Sequence, residues 1–255
     1  MMLLHHAQKR NRNVLLALAV WFGLAAIMFA VAGVQVAGYR GAFGAYQQDM
    51  RGEVTRIPGL VKERLDASDI TATAAALREA AAALVQKTGA APSPPNIMGL
   101  HIGGDTERRK QKSIARDAQV YAAALKDAAD CMEYQHKIAH SLQSLSLKDA
   151  SNYNQIIDLA DAWKNATEIV HNSAKPDALK EVTATLLQKM SLVENNVREL
   201  AELYKKADAD AFKAKQLELS VLMEDFKPIG DQFAVKAGEF DAALARAAAS
   251  LNQNL

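Results

Sequence analysis

The chain has a single cysteine, Cys131, so no intrachain disulfide can hold it together. Lying among Ala128, Ala129 and Met132, Cys131 is expected to be buried in a helix interface rather than exposed as a reactive thiol. Aromatic residues are scarce at 6% although half of the chain is apolar. Alanine makes up much of that half, so the expected core is thin and built by closely spaced helices. No segment alternates apolar and polar positions over a strand-like length with β-branched or aromatic enrichment. That absence predicts an all-α fold.

The chemistry-bearing motifs are missing as well. There is no Gly-x-Ser-x-Gly elbow, no phosphate-cradling glycine loop, no Cys-x-x-Cys and no Cys-x-x-Cys-His. No catalytic residue and no cofactor site is therefore expected, and the chain reads as a non-enzyme. The formal net charge is +1, and Lys9, Arg10 and Arg12 at the N-terminus account for it. The rest is slightly acidic, which argues against a nucleic-acid partner.

What is present is one long apolar run. Val14 to Val34 reads VLLALAVWFGLAAIMFAVAGV, 21 positions without a charged side chain. About 20 such residues span the hydrocarbon core of a bilayer as a helix. The three basic residues precede the run without an acid, whereas Arg40 is followed by the mixed Asp49, Arg51, Glu53 and Arg56. That bias predicts a cytoplasmic N-terminus and an exported bulk, a single-pass topology in the inner (cytoplasmic) membrane of a bacterial envelope. Ala30-Val31-Ala32 before Gly33 would fit a signal-peptidase site, but the apolar region before it exceeds the usual signal-peptide length, which favours an uncleaved anchor.

Within the run, Ala19, Gly23, Ala26, Ala30, Gly33 and Ala37 recur at alternating helical spacings and form one small-residue stripe. Such stripes let helix backbones approach closely in lipid. The stripe predicts self-association or docking of a second membrane helix.

The chain divides by composition into a basic tail (1–13), an anchor (14–37), membrane-proximal helices (38–88), a Pro/Gly-rich loop (89–105) and a helical bundle (106–255). The anchor helix is expected to continue outward to Pro58-Gly59, with a short helix after it. Ser68 or Asp69 then caps an Ala-rich helix ending at Gly89. The loop holds three of the six prolines and four of the thirteen glycines, yet carries Ile97, Met98, Leu100 and Ile102. Either it folds back on the bundle or it meets lipid or a partner. Thr106 is expected to cap a helix running to about Lys148, with a seam of Ile114, Ala118, Tyr121, Leu125, Ala128, Met132, Gln135, Ala139 and Leu142. After a turn near Asp149 comes a helix over Asn152–Asn172 with Tyr153, Ile157, Ala160, Trp163 and Val170 inward. A helix of about 50 residues is expected from Pro176 to Phe226, its register carried from Leu186 through Tyr204, Ala207 and Ala214 to Val221. Asp231 caps the last one. The sum is an elongated antiparallel bundle of four to five helices.

Two constellations suggest metal chemistry. Glu133-x-x-His136 and Glu168-x-x-His171 each place a carboxylate and an imidazole on one helix face, as half of a di-iron carboxylate site requires. Met132, His136 and His140 share a face in a pattern that suits copper. Against both stand the absence of matching ligands elsewhere and the ordinary structural uses of histidine. The remaining feature is Glu107-Arg108-Arg109-Lys110-Gln111-Lys112, cations at a helix start that the helix dipole disfavours. If the chain returns to the membrane, Arg108, Arg109 and Lys110 beside the apolar loop suit lipid or partner contact.

The leading expectation is a non-enzymatic, membrane-anchored scaffold or assembly subunit. The alternatives are an extracytoplasmic ligand-sensing domain, disfavoured because no second span carries a signal inward, and a metal-binding bundle.

Overall fold

The computed structural model describes residues 2–66, 69–97, 100–101, 104–143, 145 and 152–255; over 2–21, 23, 61, 63–66, 97 and 100–101 it describes the backbone alone. Seven α-helices account for nearly all of it: α1 Met2–Asp66, α2 Ile70–Gly89, α3 Asp105–Gln143, α4 Tyr153–Asn172, α5 Lys180–Lys205, α6 Ala209–Glu224 and α7 Phe226–Asn254. The all-α reading holds. The exception is a minimal antiparallel ladder, β1 Asn96–Ile97 with β2 Leu100–His101, in the Pro/Gly-rich loop.

Among the described residues α1 is the one helix long and apolar enough to cross a membrane. Phe22, Leu24, Ile27, Phe29 and Val34 stand exposed along it. The same helix then enters the folded part without a break. Phe43, Tyr46, Met50, Val54 and Ile57 fall at helical spacing on its inner face and are buried. Pro58 does not stop it, contrary to the expectation from sequence, and α1 runs on to Asp66. A proline in a helix interior removes one backbone hydrogen bond and costs about 3 kcal/mol. Here its ring is exposed, and Val54 and Ile57 in the turn before it are buried.

Reversal comes instead at Asp69, whose side chain accepts from Ala72 N at 2.8 Å and caps α2. Ser68, the other expected cap, lies outside the described residues. The ion pairs give the helix directions. Lys87 near the end of α2 meets Asp49 of α1, so the two run antiparallel. Arg78 of α2 meets Asp130 and Glu133 of α3, while Gln111 donates to Pro92 O, so α2 and α3 are also antiparallel. α3 therefore travels alongside α1 in the same direction.

Two apolar clusters result. The first joins α1, α2, the first half of α3 and the last turns of α7, around Met50, Leu84, Ile114, Leu125 and Leu251. Alanines at 74, 80, 81, 118, 122, 128 and 129 are buried in it, which is the thin core that the composition predicts. The second joins the end of α3 to α4, α5, α6 and the start of α7 around Tyr134, Ile156, Trp163, Leu179 and Met190. Cys131 is buried there as expected, and burial with the nearby Asp241 charge pushes its thiol up to about 11.

Sharing α3 between two cores corrects its predicted seam. Ile114 to Ala128 face inward as the spacing implies, but beyond them Cys131, Tyr134 and Ile138 are buried, while Ala139 is exposed and Met132, Gln135 and Leu142 are only half-buried. Tyr134 donates to Thr183 Oγ1 at 3.1 Å within that second core. α4 starts at its cap Asn152, which accepts from Gln155 N at 3.0 Å, and buries Ile156, Leu159, Ala160, Trp163, Ala166 and Val170. Tyr153 and Ile157, expected inside, are half-buried. The turn expected near Asp149 falls outside the described residues.

The long helix expected from Pro176 to Phe226 is broken. After a short 3-10 turn over Asp177–Leu179, α5 ends at Lys205, and Ala207 takes a φ of 56° in the left-handed region. Asp208 then caps α6 by accepting from Ala211 N at 3.0 Å. Lys215 of α6 folds back onto Glu199 of α5 at 2.5 Å. Tyr204, Ala207, Ala214 and Val221, placed inward by a continuous register, are exposed, and Leu219 is buried in their stead. Asp231 lies inside α7 rather than at its cap, because Pro228 sits in the first turn, where a missing N–H has no intrahelical partner to lose.

α7 closes the first core. Leu251 and Leu255 are buried, and Gln47 Nε2 of α1 donates to Leu255 O at 2.9 Å. Asp117 of α3 accepts from Ser250 Oγ at 2.9 Å and Asn254 Nδ2 at 2.7 Å. Burial pushes that carboxyl upward, but these hydrogen bonds, with the bond and charge of Arg116, hold it below its ordinary value.

Candidate functional site

The most specific arrangement of polar groups lies where the exposed apolar part of α1 meets the folded part. α3 begins there because Gly104 adopts a φ of +73°, which an L side chain rarely takes. A Cβ on Gly104 would also stand 3.0 Å from Tyr39 Cε1, so the turn packs directly on that ring. Tyr39 Oη donates to Gln111 Oε1 at 3.0 Å. Arg40 Nε donates to Glu107 Oε1 at 2.9 Å. Burial and the Glu107 carboxylate raise the Tyr39 phenol above its ordinary value, so it remains a neutral donor. Together these contacts fix the first two turns of α3 level with residues 39 and 40, about 9 Å along the helix from Val34.

Arg108, Arg109 and Lys110 therefore sit at the end of the fold from which the apolar segment projects. Asp105, Arg108, Arg109 and Lys112 line a cleft of about 240 Å³. Arg108 Nη2 reaches Asp105 Oδ1 at 3.2 Å. Among the described residues no carboxylate lies within ion-pair distance of Arg109, Lys110 or Lys112. The neighbouring loop is tied to the same end at both flanks, by Pro92 O on Gln111 and by Gly104 on Tyr39. Pro95 is buried and Ala91 packs on the first core. Met98 and Ile102 lie outside the described residues, as do the side chains of Ile97 and Leu100.

Tyr39, Arg40, Gly104 and Gln111 were not marked by spacing in the sequence. The sequence features able to mark two of them are a tyrosine just past an apolar run, where an aromatic-belt residue belongs, and a Gly-Gly pair before an acidic helix start.

The metal candidates are scattered. Glu133 receives Arg78 Nη2 at 2.6 Å and pairs with Lys137 at 3.2 Å. The Arg78 hydrogen bond, then that of Lys137, hold its carboxyl below the usual range. It lines a cleft of about 240 Å³ with Arg78, Asp130, Tyr134, Lys137 and Lys175, where cations rather than a metal neutralise it. His136 and His140 are exposed, their rings 6.4 Å apart. Glu168 is exposed and 3.9 Å from Lys164, and His171, also exposed, takes Lys175 Nζ on its backbone carbonyl. Among the described residues no group of three or more His, Cys, Asp or Glu side chains is placed to hold a metal ion.

In the small-residue stripe, Ala26, Ala30, Gly33 and Ala37 are exposed, and a Cβ added at Gly33 meets nothing within 4 Å. The side chains at positions 19 and 23 (Ala19, Gly23) lie outside the described residues. Comparison with protein families, curated proteins and solved structures finds no match for the chain.

Proposed function

We propose that the protein is a single-pass membrane scaffold: α1 anchors an elongated antiparallel helical bundle to a bilayer and holds it in a fixed attitude for assembly with a membrane partner or a second copy. The observation that carries this reading is the continuity of α1. One helix supplies both the exposed apolar run and, without an intervening linker, the buried row Phe43, Tyr46, Met50, Val54 and Ile57. A flexible tether would only localise a domain. A helix shared between lipid and core also sets its orientation, which suits a structural subunit. The charge bias around the apolar run supports a cytoplasmic N-terminus and an extracytoplasmic bundle, in the inner membrane of a bacterial envelope.

The stripe Ala26, Ala30, Gly33 and Ala37 is the proposed docking face within the membrane. Leucine at Ala26, Ala30 and Gly33 projects away from the fold, so the triple variant should keep its stability and its membrane location. Isolated in mild detergent from native membranes, the natural chain is expected to bring a stoichiometric partner or a second copy, and the triple variant to lose it. A natural chain isolated as a lone monomer would overturn the scaffold reading and favour ligand sensing by the bundle.

A further inference from the structure

The basic start of α3 contributes nothing visible to folding. The first turn of α3 holds Asp105 and Glu107, as helix starts favour, and directly behind them stand Arg108, Arg109, Lys110 and Lys112 in a chain that is otherwise close to neutral. The Asp105–Arg108 pair is exposed and of the kind that contributes little, and the other three cations have no carboxylate partner among the described residues. Their position is nevertheless fixed by Gly104, Tyr39–Gln111 and Arg40–Glu107. The fold thus holds a cluster of unpaired positive charge rigidly beside the end of an apolar helix.

We infer that Arg108, Arg109 and Lys112, with Lys110 beside them, bind the anionic phospholipid headgroups of the bilayer that α1 enters. This rests on the membrane-anchor reading and adds lipid selectivity to it. The polar layer of a bilayer extends roughly 5–8 Å beyond the hydrocarbon on each side. The start of α3, about 9 Å past Val34, lies at its outer edge, within reach of side chains as long as arginine and lysine. Cations at that height are attracted to anionic lipid, and the attraction decays over a Debye length of about 8–10 Å. The cleft is lined by Asp105 as well as Arg108, Arg109 and Lys112; Arg108 pairs with that exposed carboxylate, while Arg109 and Lys112 keep free donors for a phosphate, whose oxygens a guanidinium matches in pairs.

The full-length protein reconstituted into nanodiscs of mixed phosphatidylglycerol and phosphatidylcholine tests this, with retained lipids counted by native mass spectrometry. Each surface cation is worth roughly a five-fold preference, so the natural chain is expected to enrich phosphatidylglycerol at least ten-fold, and less as salt rises. Arg108→Gln, Arg109→Gln and Lys112→Gln together should abolish the enrichment while the thermal midpoint stays unchanged. The charge-matched control Lys205→Gln, Lys206→Gln and Lys213→Gln, on the distant α5–α6 hairpin, should leave it intact. Equal retention of both lipids by an inserted natural chain, or loss of enrichment in the control, would overturn the lipid site and leave the anchor standing. Displacement of phosphatidylglycerol by millimolar inorganic phosphate would assign the cleft to a soluble anion instead. Failure of the natural chain to enter the nanodisc would overturn the anchor itself.

Discussion

Leu251→Ala is expected to destabilise the protein by about 3 kcal/mol, one of the largest losses available to a single substitution in this chain. Leu251 is fully buried at the far end of the sequence, yet it packs in the same cluster as Met50 of α1, Leu84 of α2 and Ile114 of α3. The polar contacts around it act in the same direction. Asp117 holds Ser250 and Asn254, and Gln47 holds the carbonyl of Leu255. Removing the leucine leaves a cavity where four helices meet, with Ala247 and Leu255 left as the other buried apolar side chains at the end of α7. For a domain of this size the thermal midpoint should fall by about 6–12 °C. A denaturant titration checks it: a fall well under 1 kcal/mol would mean that the end of α7 is not part of the first core.

Ala81→Leu is expected to cost about 2–3 kcal/mol by the opposite mechanism. Ala81 is fully buried on α2, in a cluster that also buries Ala74 and Ala80 of α2 and Ala118, Ala122 and Ala129 of α3. A helix pair faced with alanine packs with its axes close together, and three added carbons at the contact must separate them. The neighbouring Ala82 is exposed, so Ala82→Leu should change stability by no more than about 0.5 kcal/mol. Measuring both variants isolates packing from helix propensity, since the residue introduced is the same. Equal effects at the two positions would contradict the close approach of α2 and α3.

Much of this fold is legible in the sequence, where a local signal and the global packing agree. The stop at Gly89, the inward row of α5 and Ala160, Trp163 and Val170 of α4 follow from periodicity and capping chemistry alone. The misreadings occur where the two disagree. Pro58-Gly59 is a strong local stop signal, but α1 carries Pro58 with its ring exposed and runs on to Asp66. At Ala207 the opposite happens. Alanine is the best helix former, and nothing in its local propensity announces a turn, but Lys205 in the last turn of one helix and Asp208 at the cap of the next mark a boundary that a continuing heptad count obscures. The shifted seam of α3 has a third cause. One helix serves two cores, and the register that suits Ile114 and Leu125 is not the one that buries Tyr134 and Ile138.

The candidate site was partly legible for a similar reason. The cations at 108–112 and the apolar run stand out in the sequence, but their proximity depends on Tyr39, Arg40, Gly104 and Gln111, contacts across more than 60 positions that no local pattern encodes. The paired Glu-x-x-His motifs show the reverse. They are conspicuous in the sequence, while in space Glu133 is taken up by Arg78 and Lys137 and the histidines face outward.

The central claim is that α1 spans a bilayer and holds the folded part at its surface. Alkaline carbonate extraction of native membranes tests it most directly, with the natural chain beside a variant carrying Phe22→Arg and Ile27→Arg in the exposed apolar face of α1. A charge near the centre of a spanning helix disfavours insertion by about 2.5–3.5 kcal/mol. The natural chain is predicted to stay with the membrane pellet and the variant to be released into the supernatant. Release of the natural chain would contradict the account.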